Sequence, residues 1–246
     1  MVYALIVAAG KGLRLPGPQP KQYLPLAGVP ILMRTLRSME ACATRFEAIV
    51  LVTPPGEIDF CRQRMVAPAE LKTPVTLVAG GARRQDSVYH GLRDLGPDDA
   101  VVAIHDGVRP LVPPELIDAC VAAAQQHGAG IAAVPVWDTV KRSGSGGVIE
   151  STLPRETIWL AQTPQAFRIG LIRRAHEKAR REGFSGSDDS VLVERLGVPV
   201  RIVPGSRSNI KITTREELRI AEALAAGHFD MDPMGHPVTG THSPTL

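Results

Sequence analysis

Short apolar runs rich in β-branched residues recur along this chain, and segments of helical periodicity separate them. Residues 3–9, 48–53, 75–79, 100–105, 131–136 and 200–203 read as strands, the first of them buried on both faces. Between them the spacing predicts helices over 30–42, 57–66, 84–95, 113–127, 169–182, 188–196 and 215–226. Strands that alternate with helices need a mostly parallel sheet whose two faces are both covered. The expected fold class is therefore α/β, a Rossmann-like three-layer sandwich. In such sheets ligands lie beyond the carboxyl ends of the strands. The loops after the first, third, fourth and fifth strands are where chemistry is expected.

Two stretches break this rhythm. Residues 137–161 carry Ser143-Gly144-Ser145-Gly146-Gly147 between short β-like pieces, which reads as a protruding hairpin arm with a flexible tip. From residue 227 the chain is rich in Pro, Gly and His and reads as a disordered tail; His228, His236 and His242 match no metal spacing. Residues 1–226 then make one domain, which a chain of 246 residues accommodates without disulfides or metal staples.

Composition excludes several classes of function. Net charge is +3 and aromatic residues are 4%, so neither electrostatic steering nor base-stacking platforms point to nucleic acid. No apolar stretch approaches the ~20 residues needed to cross a bilayer. The apolar start lacks the basic segment of a signal peptide. Cys42, Cys61 and Cys120 are widely spaced and form no CxxC, which suits buried thiols in a reducing cytoplasm.

The first strand runs into Ala8-Ala9-Gly10-Lys11-Gly12-Leu13-Arg14. The third glycine of a dinucleotide fingerprint is missing, and no Walker sequence occurs. Gly10 and Gly12 nevertheless allow main-chain N–H groups to approach an anion closely, and Lys11, Arg14 and Lys21 bring three cations to the same loop. A phosphate site and a solvated surface turn both fit these residues. Asp106, at the end of the fourth strand, is either a turn carboxylate or a ligand for a divalent cation, with Arg109 nearby. Ser87 suits a helix start, and Lys211 a solvated charge before the last helix. His105 reads as a structural strand-end residue. Trp137 and Trp159 read as packing residues of the arm.

Five further blocks follow that loop in order. They are Gly80-Gly81-Ala82-Arg83-Arg84-Gln85-Asp86-Ser87, His105-Asp106-Gly107-Val108-Arg109-Pro110, Asp138-Thr139-Val140-Lys141-Arg142, Gln162-Thr163-Pro164-Gln165 and Asn209-Ile210-Lys211-Ile212-Thr213. Together with Pro20-Lys21-Gln22-Tyr23-Leu24 they resemble the signature of sugar-phosphate nucleotidyltransferases, and most closely that of the 2-C-methyl-D-erythritol 4-phosphate cytidylyltransferases of non-mevalonate isoprenoid biosynthesis. The match runs to residue 226.

The resemblance implies an enzyme that joins CTP to a polyol phosphate and releases pyrophosphate, with Mg²⁺ as cofactor. It implies that Lys21 and Lys211 stabilise the reacting α-phosphate and Arg14 the leaving pyrophosphate. Ala8, Ala9, Gly10 and Gly12 would contact the nucleotide, Gly80, Gly81 and Ser87 would read the cytosine, and Asp106 would hold the metal. Arg109, Thr163 and Ser187 would contact the acceptor. Thr139 and Arg155 would reach it from the arm of a second subunit, so a homodimer is expected, with no nucleic-acid or membrane partner. Ser187 stands where the family usually has Thr, Gly107-Val108 where it has two alanines, Ala82 where it often has an acid, and Val7 where it often has a proline. A ribitol-5-phosphate cytidylyltransferase and a non-catalytic nucleotide-binding module are the alternatives. Retention of Arg14, Lys21, Asp106 and Lys211 together speaks against the second.

Overall fold

The computed structural model describes residues 1–10 and 19–227. The chain enters through β1 (Val2–Val7), a small pair β2 (Pro25–Leu26) and β3 (Val29–Pro30), then α1 (Ile31–Glu40) and β4 (Ile49–Thr53). It continues with α2 (Ile58–Cys61), β5 (Val75–Ala79), α3 (Arg84–Leu92), β6 (Val101–Asp106), α4 (Pro114–His127) and β7 (Ala129–Pro135). Then come β8 (Val140–Ser143), β9 (Ile149–Leu153), β10 (Trp159–Arg168), α5 (Ile169–Arg181), α6 (Ser190–Glu194), β11 (Arg201–Pro204) and α7 (Arg215–Ala225).

Seven strands form one sheet in the order β11-β7-β10-β6-β1-β4-β5. Strand β10 runs antiparallel to both neighbours, while the other pairings in this sheet are parallel. Side chains along the central parallel strands alternate between two apolar layers, as the two-residue period of a strand requires. Ala4, Ile6, Val101 and Ala103 pack with Leu32 and Leu36 of α1 and Ile117 and Val121 of α4. Leu5, Val102, Ile104 and Phe167 pack on the opposite face with Leu92 of α3, Ile172 of α5 and Leu192 of α6. Both faces of the sheet are thus covered, and the three-layer α/β expectation holds.

The expected strands are present with shifted ends, and the expected helices shorten by a few residues. The segment predicted as one helix over 57–66 is α2 followed by a π-helical stretch, Arg62–Val66. The arm is an antiparallel hairpin of β8 and β9, but its expected end at residue 161 is wrong, because residues from Trp159 onward belong to β10 in the main sheet. This strand escapes sequence reading for a physical reason. Its middle, Gln162-Thr163-Pro164-Gln165, has buried polar side chains where alternation would put apolar ones, and a proline in a run argues against a strand. The sheet accommodates that proline by breaking register between Ala161 and Gln165.

Residues 209–213, expected to be strand-like, are irregular. They are held by a third apolar cluster of Leu26, Ile31, Val108, Ile212 and Ala221, with Ile210 packed against it. The Ile212 amide donates to the Val108 carbonyl at 2.9 Å. This anchors the segment beside the carboxyl end of β6. Of the expected tail, only Gly227 lies within the described residues.

Candidate active site

The loops that follow β1, β5 and β6 meet at the carboxyl edge of the sheet. After β1, the Ala8 amide donates to Val52 O at 2.8 Å, and Ala8 O accepts from Gln22 Nε2 at 3.0 Å. That second bond ties the loop to the short 3₁₀ turn Lys21–Tyr23 and so brings Lys21 to its mouth. After β5, Gly80 is buried, and a Cβ there would lie 2.3 Å from Ala9 Cβ and 2.9 Å from Ser87 Oγ. Only glycine permits this approach of two loops. Ser87 Oγ accepts from the Gly81 amide at 3.1 Å and donates to Arg83 O at 3.1 Å, so the hydroxyl shapes the turn. The turn reading of Ser87 therefore holds.

Two cavities open here. The larger, about 320 Å³, is lined by Ala8, Ala9, Gly10, Lys21, Gly81 and Ser87 among others. The smaller, about 120 Å³, is lined by Arg109, Gln162, Thr163, Gln165, Ser187 and Asp188 among others. Arg84, Asp106 and Lys211 line both. Gly80 lies behind the larger cavity rather than on its wall. Gly12 and Arg14 lie outside the described residues.

Asp106 is the electrostatic centre of this wall. Its carboxylate is nearly buried; Oδ1 accepts from Arg84 Nε at 3.0 Å, Oδ2 lies 2.8 Å from Lys211 Nζ, and Arg109 Nε stands 3.6 Å from Oδ2. Burial opposes the charge, but Arg84, Lys211 and Arg109 outweigh it and hold the carboxyl far below the usual carboxylate range. Arg109 is buried too, which lowers its pKa against the pull of Asp106. Its Nη1 donates to Asn209 O at 2.6 Å, and the Asn209 side-chain amide donates to Thr163 O at 2.8 Å. This connects the β6 loop to β10 and to the segment that carries Lys211.

His105 is structural, as expected. Its Nε2 lies 3.1 Å from Arg109 O and its Nδ1 3.1 Å from Thr163 Oγ1, which in turn accepts from the Asp106 amide at 3.0 Å. A neutral ring that donates from Nε2 and accepts at Nδ1 satisfies all three groups. Burial lowers its pKa to about 4. The hydroxyl proton of Thr163 then goes to His105, and toward a ligand in the smaller cavity Thr163 offers a lone pair.

Thr139 and Arg155 line neither cavity. Both are exposed at the root of the hairpin, where Arg155 Nη1 donates to Trp137 O at 2.8 Å. Trp137 is exposed, with the Arg207 guanidinium 4.1 Å from its ring centroid. Among the described residues there is no cluster of three or more His, Cys, Asp or Glu side chains arranged to hold a metal. Cys61 and Cys120 are buried and Cys42 partly so; burial pushes the Cys120 thiol up to about 12 and the Cys42 thiol to about 11, which leaves them protonated.

Sequence reasoning missed Arg84, Asp188 and Asp189. Arg84 Nη1 donates to Asp189 Oδ2 at 2.7 Å, and Asp188 Oδ2 accepts from Gln165 Nε2 at 2.7 Å. The signal was present in the adjacent acids after Ser187 and in the arginine that opens α3, but only the fold brings them together.

The comparisons with known proteins agree with this geometry. The family model for 2-C-methyl-D-erythritol 4-phosphate cytidylyltransferase (IspD) matches residues 2–226. The protein of that name from Pelotomaculum thermopropionicum is 48% identical over 223 residues, which is 91% of this chain and 93% of the relative. The one from Geobacter metallireducens is 49% identical over 227 residues, 91% of this chain and 97% of the relative. Among solved structures, the 4-diphosphocytidyl-2C-methyl-D-erythritol synthase of Anaerococcus prevotii superposes with a TM-score of 0.80 at 32% identity, covering 92% of this chain and 98% of that one. The Thermus thermophilus cytidylyltransferase gives 0.73 at 34% identity, covering 92% and 100%. The match over nearly the whole chain, on a fold that brings Lys21, Gly81, Ser87, Asp106, Thr163 and Lys211 to one edge of the sheet, places this chain in the 2-C-methyl-D-erythritol 4-phosphate cytidylyltransferase family.

Proposed function

We propose that the chain transfers the cytidylyl group of CTP to 2-C-methyl-D-erythritol 4-phosphate and releases pyrophosphate. The observation that carries this reading is the pair of cavities that share one wall, Arg84, Asp106 and Lys211. The larger suits a nucleotide and the smaller a phosphorylated acceptor, so the shared wall is where two phosphates meet. An oxygen of the acceptor phosphate forms a bond to the α-phosphorus, and the bond from that phosphorus to the bridging oxygen breaks. The electron pair leaves with pyrophosphate. The attacking oxygen is already ionised, so no general base is required. The barrier is the repulsion of two polyanions, and cations lower it by orienting and neutralising them.

Lys21 and Lys211 act on the α-phosphate and Arg14 on the pyrophosphate. Arg109, Thr163 and Ser187 orient the acceptor. The arm of a homodimer supplies the partner's Thr139 and the partner's Arg155, in keeping with their position outside this chain's own cavities. A divalent cation fits the donor set: one ionised carboxylate, Asp106, faces the nucleotide cavity, and magnesium takes one or two carboxylates together with phosphate oxygens and water. Asp106 would hold it, and the bound ion neutralises charge on the triphosphate.

Pyrophosphate release with a panel of nucleotides and polyol phosphates tests the reading. Turnover is expected with CTP and 2-C-methyl-D-erythritol 4-phosphate. Turnover with ribitol 5-phosphate in its place would reassign the acceptor, and silence with every pair would leave a nucleotide-binding module.

A further inference from the structure

Behind Arg84 stands a carboxylate that lines neither cavity. Asp189 is 1% exposed, and its Oδ2 accepts from Arg84 Nη1 at 2.7 Å. Its other oxygen, Oδ1, faces Nε2 of His176 at 3.4 Å. His176, on α5, is fully buried; its Nδ1 has no hydrogen-bond partner, and its Nε2 has only this long approach to Asp189. Polar ring atoms left in that state cost stability, so their placement against Asp189 calls for a reason. Asp189 is also fixed through the main chain. Gln165 Oε1 accepts from the amides of Asp189 and Ser190 at 3.2 and 3.1 Å, and Gln165 itself sits on β10.

The arrangement controls how Arg84 meets Asp106. A guanidinium fork favours gripping one carboxylate with two parallel N–H groups. Asp106 also faces Lys211 and Arg109, so such a grip would occupy both of its oxygens. Here Nε reaches Asp106 Oδ1, while Nη1, at the other edge of the guanidinium, is held by Asp189 Oδ2, which sets the angle at which Arg84 meets Asp106. Oδ2 stays with Lys211 at 2.8 Å.

We propose that Asp189, braced by His176, is a positioning residue of the reaction. It holds the far edge of the Arg84 guanidinium, and so fixes the single Nε bond to Asp106 Oδ1 and leaves Oδ2 with Lys211. The effect on rate rests on the cytidylyl transfer proposed above; the geometry does not.

The test uses the full-length protein and two independent readouts. With Asp189→Asn, kcat is expected to fall at least about tenfold, the usual loss when a group that orients an active-site residue is removed. KM for CTP should stay within about twofold, because the glycine loops are untouched. In an Arg84→Met background the same change should cost nothing further, since the residue it acts through is gone. Equal losses in both backgrounds, or an unchanged kcat in Asp189→Asn, would overturn the proposal. The second readout is arginine side-chain NMR. Rotation of the Arg84 guanidinium is expected to be slow in the parent and faster in Asp189→Asn. An identical, restrained signal in both overturns the proposal even if the parent turns over no substrate, a result that would count only against the proposed activity. If Asp189→Asn does not fold, His176→Phe carries both measurements. It fills the ring's space without the nitrogen, and about threefold lower kcat with a loosened Arg84 is expected; an unchanged kcat and signal overturn the proposal.

Discussion

Lys211 shows how a single charged residue is aimed. Its neighbours Ile210 and Ile212 are drawn into a small apolar cluster, and that burial sets the side chain against Asp106. Lys211→Met should therefore fold normally while kcat for pyrophosphate release drops by roughly 10²–10³, the loss expected for one preorganised donor. Turnover within threefold of the parent would remove Lys211 from the transition state. Gly80 acts by lacking a side chain. In Gly80→Ala the new methyl would collide with Ala9 and Ser87, so the loops after β1 and β5 must part. KM for CTP is expected to rise at least tenfold in steady-state assays. Lys21, Asp106 and Lys211 were legible because each sits in a block with a recognisable neighbourhood. Arg84 was not, since its two carboxylate partners are 22 and 105 residues away and only the fold joins them.

Helix α7 and strand β10 mark the two ends of what periodicity can reveal. Helix α7 carries its start signal in the sequence: Thr214 Oγ1 accepts from the Glu217 amide at 3.2 Å, while Glu217 Oε2 accepts from the Thr213 and Thr214 amides at 2.6 and 2.8 Å. This capping box follows Lys211 directly. Thr214→Ala should lower stability by about 1 kcal/mol, read as an earlier urea midpoint with an unchanged slope. An unmoved midpoint would show that the cap contributes nothing. Strand β10 carries no such signal, because its central residues serve the smaller cavity instead of the core. Its last apolar residue, Phe167, is fully buried. The local pattern of β10 was obscured by the residues that line the smaller cavity, whereas the parallel strands were legible as continuous apolar runs because both their faces are packed.

Across the molecule, acid should act first through His105. In the unfolded chain the ring titrates near 6.5, and in the fold burial holds it at about 4. Between those values the unfolded state binds the extra proton, so stability falls as pH drops through that window, on the order of 3 kcal/mol in all. Asp106, whose pKa is lowered, loses its contribution only below the ordinary carboxylate range. Urea unfolding at pH 7 and pH 4.5 should show this loss in the parent and a smaller one in His105→Gln; equal losses would exclude His105. The sharing of active sites proposed above makes another prediction at this scale. Arg155→Ala and Lys211→Met proteins, each nearly inactive, should regain activity when unfolded and refolded together, and a mixture as silent as its parts would rule out exchange of arms. The fold also apportions where the chain can change length. Strand β10 leaves the root of the arm at Trp159, passes the smaller cavity at Thr163 and enters the core at Phe167. One residue inserted at the glycine tip of the hairpin is absorbed in solvent, whereas one inserted after Trp159 turns every later side chain of that strand to the wrong face. Insertions are thus tolerated at the far end of the arm and prohibited at its base.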